Sequence, residues 1–234
     1  MKKKLILNTI YMYSNISINT FQYINTLRTK LFTRIKQMTT TSFNLTEIID
    51  NNDYVKNCTS NKSKETHSLS SLIDRDLSQS DCIKLGTGLE KVVKDVVLAA
   101  NPGLTNIKPK NAKGKKERDH LFFDAGTKTI FYAELKSNLN LDTEKCRSTS
   151  AKCIQILAEL QEEYPDCKVE MFLLGVRYFE RSLIPKIIGN KYQEIDGNLV
   201  GMNDYFAALK VPIAFSGEPE YKEFLNYLAD KMFT

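Results

Sequence analysis

Residues 119 to 136 read Asp119-His120-Leu121-Phe122-Phe123-Asp124-Ala125-Gly126-Thr127-Lys128-Thr129-Ile130-Phe131-Tyr132-Ala133-Glu134-Leu135-Lys136. Two runs rich in Phe, Ile, Thr and Tyr flank a polar stretch with Gly126 where a turn would need it, the pattern of a β-hairpin. A turn centred between Gly126 and Thr127 sets Asp119 directly across the ladder from Glu134. Directly opposed Cβ atoms stand about 5 Å apart. Strand side chains alternate with period 2, so Lys136 shares the face of Glu134. Asp124 is a rival acid in the same stretch, but Asp beside Gly serves turns, and that is the role expected of it.

Two facing carboxylates repel and weaken a hairpin unless something offsets them. A divalent cation is the expected offset. Mg²⁺ takes oxygen ligands, one or two carboxylates together with phosphate oxygens. A lysine two residues on would stand beside the metal, where it can orient a water and steady charge on a phosphate.

This arrangement resembles the PD-(D/E)XK nuclease superfamily, in which an Asp starts one strand and a Glu-x-Lys ends the next. Here these are Asp119 and Glu134-Leu135-Lys136, with Arg118 in place of the usual Pro. The longer run from Glu134 to Lys145 is similar to type II restriction endonucleases. The specific match covers residues 119–145, and the layout from about Leu85 onward is compatible with it. The resemblance implies an α/β fold with a restriction-endonuclease-like core, a mixed central β-sheet flanked by helices. It implies Mg²⁺ on Asp119 and Glu134, with the Leu135 carbonyl as a third ligand, and Lys136 positioning the attacking water. Many members carry a further metal-contacting glutamate on the first helix, and Glu90 is the residue in that place. Double-stranded DNA is the implied substrate. A palindromic target would imply a homodimer, and a restriction role would demand a DNA methyltransferase acting on the same site.

Composition narrows the alternatives. The 234 residues are 42% hydrophobic, enough for one core with an extension. No apolar run approaches the roughly 20 residues of a membrane helix. Five cysteines, none in a CxxC pair, read as reduced thiols of a cytoplasmic protein. Only two histidines, His67 and His120, argue against a zinc nuclease. His120 would point away from Asp119, as an ordinary hairpin side chain. Seven basic residues and no acid fall in the first 37 positions, so the rest of the chain carries −2 of the overall +5. Nucleic-acid affinity must then come from local patches.

Three regions follow: a basic extension over 1–37, a polar segment over 38–84 and the nuclease domain over 85–234. The extension has features of a weak secretory signal, of a transit peptide, or of leader sequence ahead of Met38. In the polar segment, short helices are expected over residues 43–50 and near 69–73. Leu85, Leu89, Val92, Val93, Val96, Val97 and Ala100 recur at helical spacing. Thr87-Gly-Leu-Glu90 fits a capping box, which accounts for Glu90 as well as a metal role does. Asn101-Pro102-Gly103 ends that helix.

The loop from Ile107 to Arg118 holds six basic residues against one acid and leads into Asp119. A phosphate backbone at the carboxylate pair would need such cations, with Lys115, Lys116 and Arg118 foremost. Beyond the hairpin, Asn138, Asn140, Lys145, Arg147 and Lys152 can reach bases or phosphates, although loop and cap chemistry explains each equally well. A helix to about Tyr164 carries Cys153, Ile154, Leu157, Leu160 and Tyr164 as its stripe. Residues 168–179 read as a buried central strand, parallel to the Glu134 strand through a right-handed crossover. Asn203 is placed as the cap of a short helix, residues 211–215 as another strand, and Tyr221, Phe224, Leu225, Leu228 and Met232 as the stripe of a last helix.

Three rival readings stand beside the restriction enzyme. One is a repair, junction or transposition nuclease on the same core. Another is a non-catalytic DNA-binding module with a vestigial site. The third is an α/β protein with a coincidental motif.

Overall fold

The structure, a computed structural model, describes residues 44–57, 72–107 and 118–233. Of the two units into which the chain divides, Phe43–Thr234 holds all of these. Met1–Ser42, and with it the basic extension expected over 1–37, lies outside the described residues. So do His67, most of the helix expected near 69–73, and Lys115 and Lys116.

Two short helices open the described chain, α1 (Leu45–Asn51) and α2 (Asp53–Lys56). The long helix α3 (Gln79–Ala100) starts well before Thr87. Ser78 is its cap: the hydroxyl accepts from the Asp81 amide at 3.0 Å and donates to the Asp81 carboxylate at 2.8 Å. Cys82 and Leu85 carry the buried stripe back to that cap. Thr87 is therefore internal, its hydroxyl bonded to the Ile83 carbonyl at 3.2 Å, and the capping box at Thr87 and Glu90 is absent. Position 85 lies inside α3. Ile49, Val55, Leu72 and Leu77, from the segment read as polar cover, join the same core as α3.

The centre is a five-stranded mixed sheet in the order β1 (Leu104–Asn106), β2 (His120–Asp124), β3 (Thr129–Lys136), β4 (Lys168–Gly175), β5 (Leu199–Val200). The first three strands are antiparallel, and β3, β4 and β5 are parallel. The expected hairpin register holds: His120 pairs with Ala133, and Asp124 with Thr129. Asp124 serves the turn, its Oδ1 accepting from the Gly126 and Thr127 amides at 2.8 and 3.3 Å. The left-handed position of the turn falls on Lys128 (φ 51°), not on Gly126. Helix α4 (Thr143–Glu163) makes the crossover from β3 to β4. Its buried stripe is Cys146, Cys153, Ile156 and Leu160, whereas Ile154 is exposed.

Alternation along the strands sorts the core into two layers. Phe122, Ala133, Phe172 and Leu174 pack with α3 and with the C-terminal helices α6 (Met202–Ala208) and α7 (Glu218–Phe233). Leu121, Ile130, Tyr132, Met171 and Leu173 pack with α4 and the 3₁₀ segment Asn190–Asn198, which follows a one-turn helix α5 (Lys186–Gly189). By the same alternation Glu134 faces α4. The expected stripe of α7 is observed in full.

Two expectations near the C-terminus are corrected. Residues 211–215 form no strand. The Asn203 side-chain amide takes both backbone groups of Phe215, at 2.8 and 2.9 Å, so Phe215 has no need of a ladder. Asn203 is thus not the cap of α6; Asp204 bonds the Gly201 amide at 3.0 Å instead. The fifth strand is Leu199–Val200, a pair not singled out in the sequence. Gly201 follows it because a Cβ there would meet the Glu180 backbone at 2.6 Å. Being two residues long, β5 covers β4 only at Leu173 and Leu174, and Asn198 Nδ2 takes the neighbouring Met171 carbonyl at 2.9 Å.

His120 turns away from Asp119, as expected, and fastens the sheet to the helices. Its Nε2 donates to the Glu90 carbonyl at 2.9 Å, and its Nδ1 accepts from the Tyr205 hydroxyl, 3.0 Å away. The ring is fully buried and neutral. Burial pulls its pKa down to about 3; Lys94 adds to that shift and the Glu90 carbonyl opposes it. The unfolded chain protonates His120 near 6.5, so between 6.5 and about 3 the unfolded state binds the extra proton. His120 therefore stabilises the fold above pH 6.5, and that contribution fades as pH falls. His120→Gln is expected to flatten the acid slope of stability by up to about 1.4 kcal/mol per pH unit below that value. Urea unfolding of both proteins across a pH series checks this, and parallel slopes would refute it.

Candidate active site

Asp119 stands one residue ahead of β2, where the hairpin register would set it against Glu134. It adds no further rung to the ladder. Its carboxylate Oδ2 accepts from the Leu135 amide at 2.7 Å, so the side chain is pinned to the end of β3. Among the described residues Oδ1 has no hydrogen-bond partner. The Lys136 carbonyl accepts from Val176 at 3.0 Å, on the β4 side. Backbone groups alternate between the two edges of a strand, so the Leu135 carbonyl faces the β2 side, beyond the end of that strand.

Glu134 is the buried member of the pair, its side chain 1% exposed. Lys136 Nζ lies 2.7 Å from Oε1. Lys152, reaching across from α4, lies 2.8 Å from Oε1 and 2.7 Å from Oε2. The Tyr132 hydroxyl donates to Oε2 at 3.3 Å. Two carboxylates and two ammonium groups thus form a neutral cluster, and the repulsion expected in the hairpin is offset by lysines. Burial raises the Asp119 pKa and the Glu134 charge adds to this; the Leu135 amide and the two lysines oppose it. Burial alone would lower Lys136, but the Glu134 charge and hydrogen bond, with Asp119, outweigh it and hold Lys136 above the ordinary lysine value. Lys136 is accordingly held as a cationic donor in this cluster. Burial also lifts the Cys153 thiol, beside Glu134, to about 11.

Asp119, Glu134 and the Leu135 carbonyl fit a magnesium ion in chemistry. Mg²⁺ keeps several waters and takes only one or two carboxylates, so a richer set is not required. Among the described residues no group of three or more His, Cys, Asp or Glu forms a metal cluster. Glu90 is half-buried in mid-α3, and its carbonyl receives His120.

The expected DNA contacts separate on the structure. Arg118 is withdrawn from solvent. Its side chain is 1% exposed and pairs with Glu159 of α4 at 3.1 Å and Glu163 at 4.0 Å. Asn138 closes a turn onto the Asn140 amide at 2.8 Å, and the Asn140 side chain accepts from Lys191 at 3.0 Å. Lys145 is exposed and pairs with Asp142 at 3.1 Å. Arg147 is exposed on the first turns of α4.

Lys152 belongs to the carboxylate cluster. A sequence signal was available: Lys152 is three residues after Thr149 and four before Ile156, on the buried side of α4. Tyr132, two residues before Glu134 on the same face, was legible in the same way.

Removing one cation should expose how much Glu134 depends on it. Lys152→Met is expected to cost about 1–3 kcal/mol, because a buried carboxylate loses one of two ammonium partners. Adding Glu134→Gln should recover part of that loss, since the two side chains interact directly. Urea denaturation of the four proteins of this double-mutant cycle measures the coupling, and strictly additive losses would refute it. No protein-family model, no curated protein and no solved structure matches the chain.

Proposed function

We infer that this chain is a Mg²⁺-dependent endonuclease of double-stranded DNA, acting at specific sequences as type II restriction endonucleases do. The observation that carries the reading is the pair Asp119 and Glu134 at adjacent strand ends, with the Lys136 ammonium 2.7 Å from Glu134. Asp119, Glu134 and the Leu135 carbonyl would hold the ion. Mg²⁺ supplies a Lewis acid for the phosphate and lowers the pKa of an attacking water. Lys136, kept cationic, orients that water and balances the charge that gathers on the phosphate. The Leu135 amide fixes Asp119 so that the donor set stays in place through the reaction. Exposed Lys145 and Arg147 on the first turns of α4 offer phosphate contacts; Lys115 and Lys116, expected for the same role, lie outside the described residues. Arg118 is withdrawn from this group, since its charge is spent on α4.

A homodimer accompanies this reading if the target is palindromic, and a methyltransferase of matching specificity accompanies it if the role is restriction. Among the described residues no helix is long and apolar enough to cross a membrane.

One observation favours a second reading. Both oxygens of Glu134 are already taken by ammonium groups, as they would be in a purely structural ion cluster of a DNA-binding module.

The experiment that separates the two is a digest of unmethylated phage DNA with purified protein, in Mg²⁺ and in Ca²⁺. Discrete bands with Mg²⁺ alone are expected. Glu134→Ala should lower cleavage by about 10²-fold or more while DNA binding is kept. A smear would redirect the assignment to a structure-directed nuclease, and intact DNA beside an active control enzyme would favour the binding module.

A further inference from the structure

Lys152 is not among the residues through which the proposed reaction has been derived, yet its ammonium contacts both oxygens of the buried carboxylate. It holds both Glu134 oxygens, at 2.8 and 2.7 Å, from a separate element. Its side chain remains 24% exposed and Lys136 is 30% exposed, whereas Glu134 is 1% exposed. The ammonium groups thus stand between the carboxylate and solvent.

We propose that Lys152 is an exchangeable counter-ion at the active site: it occupies Glu134 in the free protein and passes to a DNA phosphate when Glu134 takes the metal. The inference rests on the nuclease reading and assigns Lys152 a place in it.

Charge balance drives the exchange. The free cluster is neutral, with Asp119 and Glu134 against Lys136 and Lys152. A divalent cation entering alone meets two ammonium groups on its ligand and leaves a local excess of two positive charges. A phosphate entering alone meets two carboxylates. Entering together, the phosphate takes the lysine while the cation takes Glu134, and the excess charge is reduced. Each ligand therefore strengthens the other, by the same factor in both directions. A lysine suits the exchange because its charge sits at the end of a flexible four-carbon stem. Lys152 is better placed for it than Lys136, which shares the strand and face of Glu134.

The test begins with Mn²⁺ as an EPR-visible probe, titrated into the full chain without DNA. Lys152→Met is expected to bind Mn²⁺ about tenfold more tightly than the wild type, and Lys152→Arg to resemble the wild type. Lys152→Gln, which keeps a hydrogen-bonding group, repeats the neutral substitution should the Met variant misfold. Glu134→Gln should lose the site. Equal Mn²⁺ affinity in the wild type and both neutral variants, with the site lost in Glu134→Gln, would overturn the exchange and leave the nuclease reading standing. Failure of every variant to differ from Glu134→Gln would overturn the metal site, and the exchange with it.

The second arm measures binding to a mixed-sequence duplex by fluorescence anisotropy, in Ca²⁺ and in EDTA. Ca²⁺ should tighten the wild type by about tenfold and Lys152→Met much less. The same gain in both would also overturn the exchange.

Discussion

A carboxylate sealed from water is tolerated only when opposite charge is delivered to it. Glu134 is such a carboxylate, and much of the structure is arranged around delivering that charge. Lys136 comes from two residues along the same strand. Lys152 comes from the crossover helix, so the seat of α4 on the sheet is bound to the charge of one strand residue. The apolar stripe of α4 supplies the bulk of the adhesion. The Lys152 contact adds what apolar packing lacks, a fixed register of helix against strand.

The same helix reaches the other carboxylate strand by a second route. Two turns beyond Lys152, Glu159 pairs with Arg118, the residue immediately before Asp119. Asp119 is thus tethered from behind through Arg118 and in front through the Leu135 amide. Asp119 is held in this way without a rung of the ladder, since β2 begins only at His120. On the opposite face His120 ties the same position to α3 and to Tyr205. Consecutive residues 118, 119 and 120 therefore anchor to three different places, and that fixes the carboxylate without burying it as deeply as Glu134.

The hairpin, its register and the central parallel strand were legible in the sequence because they depend on local alternation and one turn. So were the stripes of α3 and α7 and the turning of His120 away from Asp119. What escaped depended on partners distant in the chain. Arg118 looked like the end of a basic loop, and nothing local announced Glu159. Lys152 looked like another cation, and only the packing of α4 over β3 reveals its partner. Residues 211–215 had the composition of a strand, but their pairing was taken by the Asn203 side chain. The cap at Thr87 failed because Ser78 and Asp81 offered an equivalent one upstream, with apolar residues between to extend the helix. Leu199–Val200 was too short to show any period at all.

The brevity of β5 has a consequence for the protein in crowded solution. A strand left uncovered along its outer side is a template for the backbone of another molecule. Among the described residues the first half of β4 is in that position, since β5 reaches only Leu173 and Leu174. Lys168 and Glu170 stand there as a close ion pair, 2.6 Å apart, and the Asn198 amide claims the next backbone acceptor at Met171. An approaching strand would have to strip water from two charges and displace a hydrogen bond before forming one of its own. The edge is thereby guarded against self-association by its chemistry and not by a covering strand.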